Sequence, residues 1–311
     1  MLSLHRLRLL RELAYRQKIA AVAEALAYTP SAVSQQLSVL EREAGVPLLE
    51  RTGRRVGLTP AARTLVTHAE EMLARMESAE AALAAARGKV TGTLRIGAFP
   101  SAARVILPDA LVALGRDCPD LELMVEEFDP ALAAAALRTG ELDAALTHDY
   151  DLVPVPEHPA LESTVVLVEP MYVASRNIPP DSDDPIGSFR DAWWIMGRPG
   201  NLCRLAAERI CQAAGFQPRI RHQSDDFPTV LALVAADQGQ ALLPRLGTVN
   251  APAGVVLSAL PISARVAVTH RRGASAHPAI TAFRRSVEHA IDGYWHHIRD
   301  TWPGQSNPSE R

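Results

Sequence analysis

Residues 29–43, Thr29-Pro30-Ser31-Ala32-Val33-Ser34-Gln35-Gln36-Leu37-Ser38-Val39-Leu40-Glu41-Arg42-Glu43, constrain the chain more than any other stretch. Thr29 carries the hydroxyl that caps a helix, and Pro30 suits the first helical position, where no N–H is needed. Val33, Leu37, Leu40 and Ala44 recur at helical spacing and form one apolar face. The other face holds Ser31, Ser34, Gln35 and Ser38, all short or medium hydrogen-bonding side chains. Such a face admits close approach to a major groove, where Gln reads adenine and Ser bonds either partner. An ordinary amphipathic surface helix would look the same in isolation, so the neighbouring residues decide.

Upstream, Ser3 is placed to cap a first helix with Leu7, Leu10, Leu13 and Ala14 inward. A second helix over about 19–27 buries Val22, Ala23 and Leu26, and Tyr28-Thr29-Pro30 turns tightly into the third. Two short helices so joined, the second with a polar outer face, make a helix-turn-helix. Downstream, residues 45–51 read as a turn and short strand, Thr52-Gly53-Arg54-Arg55 as a cationic hairpin tip, and Val56-Gly57-Leu58 as the return. Arg51, Arg54 and Arg55 therefore form a wing able to hold phosphates or enter a minor groove. Charge agrees: residues 1–59 hold nine Lys/Arg against five Asp/Glu, whereas residues 91–311 hold nineteen against twenty-six. A basic head on an acidic body fits a polyanion-binding module joined to something else.

Ala23-Glu24-Ala25-Leu26, the run from Thr29 to Leu37, Leu40-Glu41, Gly45-Val46-Pro47-Leu48-Leu49 and Arg51…Leu58-Thr59-Pro60 together resemble the winged helix-turn-helix of LysR-type transcriptional regulators. The resemblance implies that Thr29, Pro30, Ser31, Ser34 and Gln35 lie at the DNA face and Arg54 and Arg55 on the wing. One departure stands out. Lys18-Ile19-Ala20 replaces the Ser or Thr usual at the start of the second helix, and Lys18 is expected to supply a phosphate contact instead.

From Pro60 to Arg87 neither Gly nor another Pro interrupts the chain. Leu65, Ala69, Met72, Met76, Ala79, Leu83 and Ala86 alternate at spacings of four and three, a heptad seam expected to pair two copies. The resemblance implies the same, with linker helices paired antiparallel.

Beyond the break at Gly88–Gly92, strand and helix patterns alternate. Strands are expected at 93–98, 121–127, 143–147, 164–168, 171–174, 193–196, 219–222, 240–244 and 264–270. Helices are expected at 100–116, 131–138, 202–214, 227–236 and 279–299. This pattern predicts parallel sheets covered by helices, in two α/β lobes with a ligand cleft between them. It is similar to the effector domain of the same family, itself like periplasmic binding proteins, through residues 92–97, Gly215-Phe216 and residues 239–244. Strand ends feeding helix starts favour anions, which makes Phe99, Pro100, Ser101 and Ala102 the first candidates, although Ser101 also suits a plain helix cap. Gly200, Asn201 and Leu202, then Asp226 and Phe227, sit at two further helix starts. Phe128, Thr147 and His148 follow strands. Ser101 and Asn201 are expected to hold the effector from opposite lobes.

The chain has no phosphate-cradling glycine loop, no Gly-x-Ser-x-Gly elbow and no metal-spaced His/Cys/Glu cluster. Cys118, Cys203 and Cys211 are an odd set, read as unpaired thiols in a reducing cytoplasm. No apolar run approaches the ~20 residues of a membrane span, and the Arg-broken start is no signal peptide. The fold class is therefore α/β: an N-terminal all-α winged helix-turn-helix (1–59), a linker helix (60–88) and a two-lobed effector domain (91–300). Lobe I is expected at about 91–161 and 265–300, lobe II at about 162–264, and 301–311 as a disordered tail. The expected partners are double-stranded DNA carrying an imperfect palindrome, a small-molecule effector, a second or further copies as homodimer or homotetramer, and RNA polymerase. No cofactor, metal or membrane is expected. A DNA-binding architectural protein without effector, or an enzyme with a fused DNA head, are the alternatives.

Overall fold

The computed structural model describes residues 1–52, 55–177 and 184–301, without the side chains at 51, 52, 55, 130 and 296–301. The expected wing contact Arg54 and residues 302–311 of the expected tail lie outside the described residues, as do the side chains of Arg51 and Arg55.

The head comprises α1 (Leu4–Arg16), α2 (Ile19–Ala25), α3 (Pro30–Ala44) and the antiparallel wing strands β1 (Leu49–Thr52) and β2 (Arg55–Leu58). Leu7, Leu10, Leu13, Val22, Val33, Leu37 and Leu40 are fully buried and close its core. Ser3 stands at the N-cap of α1, but its side chain makes no capping bond. The second helix ends earlier than the sequence suggests because Ala27 turns left-handed, at φ 55°. Tyr28 N–H then closes onto the Ala23 carbonyl at 2.8 Å. An L-residue pays for that conformation and glycine does not. Ala27→Gly is thus expected to stabilise the head by about 1 kcal/mol, read as a higher midpoint in urea; an unchanged or lower midpoint would contradict the turn geometry.

Thr59 caps the linker helix α4 (Pro60–Ala86), accepting from Ala62 N–H at 3.2 Å. The heptad seam is divided. Ala69 is buried in the head's own core and Leu65 packs against it, while Met72, Met76, Ala79, Leu83 and Ala86 stay exposed.

The body contains β3 (Gly92–Ala98), α5 (Pro100–Val105), α6 (Leu107–Asp117), β4 (Leu121–Glu127), α7 (Pro130–Thr139), β5 (Ala144–Tyr150) and β6 (Leu161–Ser175). Then follow β7 (Trp193–Met196), α8 (Leu202–Ala213), β8 (Arg219–Gln223), α9 (Phe227–Ala235), β9 (Ala241–Pro244), β10 (Val256–Arg271) and α10 (Pro278–Thr301). One six-stranded sheet runs β4-β3-β5-β10-β6-β9, and β7 pairs with β8 alongside it. The sheet is mixed rather than parallel: β3 is parallel to β4 and β5, but β10 is antiparallel to β5 and β6. Two elements correct the sequence reading. The strands expected at 164–168 and 171–174 are one continuous strand, β6, because β10 extends from Val256 and pairs along both halves with an irregularity at Ala259/Ser263. The helix expected over 100–116 is broken at Ile106, since Pro108 cannot donate to the Arg104 carbonyl. Lobe I closes around Ile96, Ile106, Leu114, Val268, Phe283 and Val287; lobe II closes around Trp194, Met196, Ile210, Cys211 and Leu242.

The head is docked on its own sensor lobe. Glu12 of α1 is completely buried, accepting from Arg11 and Arg16 at 3.1 Å and from Arg138 of α7 at 3.3 Å. The Arg138 guanidinium also lies over the Tyr15 ring, 4.2 Å from its centre, and Tyr15 donates to Glu70 of α4 at 2.8 Å. Arg8 and Arg11 donate to the Thr139 and Arg138 carbonyls, at 2.6 and 3.1 Å. Two head arginines thereby satisfy carbonyls at the C-terminal, negative end of α7. From β10, Arg271 bonds Glu77 of α4 at 2.6 Å and the Leu137 and Leu142 carbonyls. At Gly273 (φ 93°) a Cβ would collide with the Ala74 carbonyl oxygen, so only glycine lets this turn touch α4.

Candidate DNA interface and effector cleft

On α3, Thr29 accepts from Ala32 N–H at 3.2 Å, its hydroxyl lies 3.0 Å from that of Ser31, and Gly45 ends the helix left-handed at φ 69°. With Val33, Leu37 and Leu40 fixed inward, Ser31, Ser34, Gln35 and Ser38 are all exposed on the opposite side. Thr29 and Pro30 are exposed at its start, and Lys18 is exposed at the N-cap of α2 without a side-chain cap bond. Glu41 was not anticipated as a fastener. Its Oε1 accepts from Leu48 and Leu49 N–H at 2.9 and 3.0 Å, fixing the wing's first strand to α3.

In lobe I, Phe99 precedes α5, whose first turn holds Pro100 and the buried Ser101 and Ala102. Phe99 meets His148 edge-on with ring centres 4.6 Å apart, and His148 meets Tyr150 at 5.3 Å. Tyr150 in turn hydrogen-bonds Cys203 of lobe II. Thr147 departs from the expectation. Alternation along β5 turns it away from His148, and its hydroxyl lies 2.7 Å from that of Thr269, itself 2.9 Å from Ser163. Phe128 likewise packs with α7 rather than with the start of α5.

In lobe II, Asn201 Oδ1 caps α8, accepting from Cys203 and Arg204 N–H at 2.8 and 3.2 Å, with Gly200 left-handed before it and Leu202 packed into the lobe core. Asp226 caps α9 through Thr229, at 2.9 Å from its N–H and 2.6 Å from its hydroxyl. Those bonds hold the Asp226 carboxyl below its usual range, helped by Arg104 of lobe I. Phe227 covers Gly247, where even a Cβ would strike its ring. Met196, Gly197, Asn201, Cys203, Asp225 and Phe227 line a cavity of about 20 Å³. Tyr150 was missed by the sequence reading, although its position two residues after His148 on one strand face was the available signal.

His148 Nδ1 is buried without a hydrogen-bond partner. Burial lowers its pKa to about 4, against a weaker opposing pull from Asp129. Above pH 6.5 the imidazole is neutral folded or unfolded. Between there and pH 4 only the unfolded chain takes up the proton, so stability falls with pH by up to about 3 kcal/mol. Denaturation at pH 7 and pH 4 is expected to show a smaller loss for His148→Phe than for the unaltered protein. An equal loss would place the titration elsewhere.

Residues 4–63 match the family described as bacterial regulatory helix-turn-helix protein, lysR family, and residues 87–291 match the LysR substrate binding domain. The chain belongs to the LysR family. Among similar LysR-family proteins, a probable hydrogen peroxide-inducible genes activator of Streptomyces viridosporus is 31% identical, over 78% of this chain and 77% of that protein. The transcriptional dual regulator GltC of Bacillus subtilis (strain 168) is 27% identical, over 78% and 81%. In fold, the chain is similar to a cysteine mutant of Corynebacterium glutamicum OxyR, at TM-score 0.62 and 23% identity, over 99% of this chain and 98% of that one. CbnR complexed with its target DNA gives TM-score 0.50 at 21% identity, over 93% and 100%. This LysR-family chain is a transcriptional regulator with a DNA-binding head and an effector-binding domain. Among the described residues no helix is long and apolar enough to cross a membrane.

Proposed function

We propose that this regulator reads an imperfect palindrome through Ser31, Ser34, Gln35 and Ser38, with Thr29, Pro30, Lys18, Arg51, Arg54 and Arg55 holding the backbone. The exposed polar face of α3 carries that reading. Two heads are brought to one duplex by pairing of chains, as homodimers or homotetramers. Exposed Met72, Met76 and Leu83 on α4, Val112 on α6, and Met124 and Val125 on the edge strand β4 supply the apolar surfaces. The protein works in the cytoplasm, carries out no catalysis of its own, and meets RNA polymerase at the promoter.

The effector sits between the lobes, near Phe99, Ser101 and His148 on one side and Asn201, Cys203 and Phe227 on the other. The unpaired His148 Nδ1 supports this placing. Lobe II contributes a cavity of about 20 Å³ beside Asn201, Cys203 and Phe227, room for one group of the effector rather than the whole of it. The signal is a non-covalent small molecule rather than a peroxide. Oxidation needs a thiolate, and burial pushes Cys203 up to about 11 and Cys211 up to about 12, and with the charge of Asp117 also raises Cys118. Footprinting the region beside its own gene tests both points. A metabolite should shift the footprint, and Ser101→Ala with Asn201→Ala should weaken its effect, while hydrogen peroxide changes nothing. A peroxide-dependent shift, or an effector response indifferent to the double variant, would overturn the reading.

A further inference from the structure

A second cavity lies where the head, the linker helix and sensor lobe I meet. It holds about 350 Å³, within the range of metabolite sites. Five guanidinium groups line it: Arg8 and Arg11 from α1, Arg138 from α7, and Arg271 and Arg272 from the end of β10 and the turn after it. The carboxylates on its wall are Glu70, Glu77 and Glu80 of α4.

The charges do not cancel pair by pair. Arg11 faces Glu12 and Glu70, Arg138 faces Glu12, and Arg271 faces Glu77 and Asp143. Arg8 and Arg272 donate instead to carbonyls: Arg8 to Thr139, Arg272 to Pro159 and Leu161 at 2.7 and 3.2 Å. Arg11, only 5% exposed, keeps a buried Nε–H without a partner, while Glu70 Oε2, buried without a hydrogen bond, lies 3.6 Å from another nitrogen of the same guanidinium. A buried guanidinium N–H left unmade is costly, and an anion would satisfy it with a charge-assisted bond. Burial and the nearby charges of Arg11 and Arg271 already hold Arg8 below its ordinary pKa, opposed by Glu12 and Glu77.

We propose that this junction cavity binds a small dianion, a dicarboxylate or a phosphorylated metabolite, between Arg8 and Arg272 with Arg11 behind it. The site is separate from the inter-lobe cleft. Its walls come from three parts of the chain, so it exists only while the head rests on its own sensor lobe. A ligand bound there favours that arrangement over any in which the head swings free, and only through that difference in affinity.

Calorimetry on the full-length protein at fixed ionic strength, with inorganic phosphate in one arm and succinate in the other, tests the proposal. At least one is expected to bind, about tenfold or more weaker to Arg272→Gln and to Arg8→Gln, the scale of a lost charged hydrogen bond. The arm that binds identifies the anion class. Arg272 is exposed, so its variant keeps the test open if Arg8→Gln fails to fold. Ser101→Ala, in the other cleft, should retain the binding. No binding in either arm, or equal binding by both arginine variants, overturns the proposal, and loss with Ser101→Ala assigns the anion to the inter-lobe cleft.

Discussion

Replacing Ser34 and Gln35 together by glutamate is expected to abolish sequence-specific DNA binding while the head stays folded. Both side chains are exposed and neither bears on Val33, Leu37 or Leu40, which hold α3 in place. A bidentate base contact of the kind Gln35 can make contributes about 1–3 kcal/mol of discrimination, so its loss alone weakens specific binding roughly fivefold at the least. Two carboxylates facing phosphates add repulsion that grows as salt is lowered. Gel retardation at two stated salt concentrations, with circular dichroism as the control, checks this. Retained binding by a folded double variant would remove α3 from the groove, and with it the reading of the head.

Glu12→Ala is expected to be the most damaging single substitution between head and sensor. Its carboxylate is the shared partner of Arg11, Arg16 and Arg138, and it is wholly buried. Burial alone would raise its pKa, yet Arg138 and Arg11 bring the net shift below the ordinary carboxylate value. Breaking a buried ion pair by deleting one partner costs about 3–5 kcal/mol, because the other charges stay behind uncompensated. Thermal or urea unfolding would show that loss. Glu12→Gln, which keeps the size and part of the hydrogen bonding, should lose less. If both variants unfold like the unaltered protein, the head does not rest on α7 in solution.

Neither Glu12 nor Arg138 could be singled out from the sequence. Glu12 reads there as one charge between Arg11 and Arg16 on an amphipathic helix, and its partner lies 126 positions away. The head was legible because its determinants are local: a cap, a proline, a four-residue hydrophobic spacing and a glycine stop, all within residues 29–45. The continuity of β6 was not. Pro170 reads as a strand breaker, whereas pairing with β10 on both sides of it carries the strand through. In the cleft, positions were easier to read than directions. Thr147 and His148 are neighbours in the sequence, and the two-residue period of β5 turns them to opposite faces. Asn201 and Asp226, expected at the ligand, have their side-chain oxygens engaged in capping α8 and α9.

The antiparallel ribbon of β6 and β10 has its two ends in different mechanical circuits. Near Val256 and Ser175 it belongs to lobe II; at Arg271 it grips Glu77 of the linker helix. Turning one lobe against the other would twist this ribbon along its length. Its far end is anchored to α4 by Arg271 on Glu77, so the linker helix is tied to the same strand that crosses between the lobes.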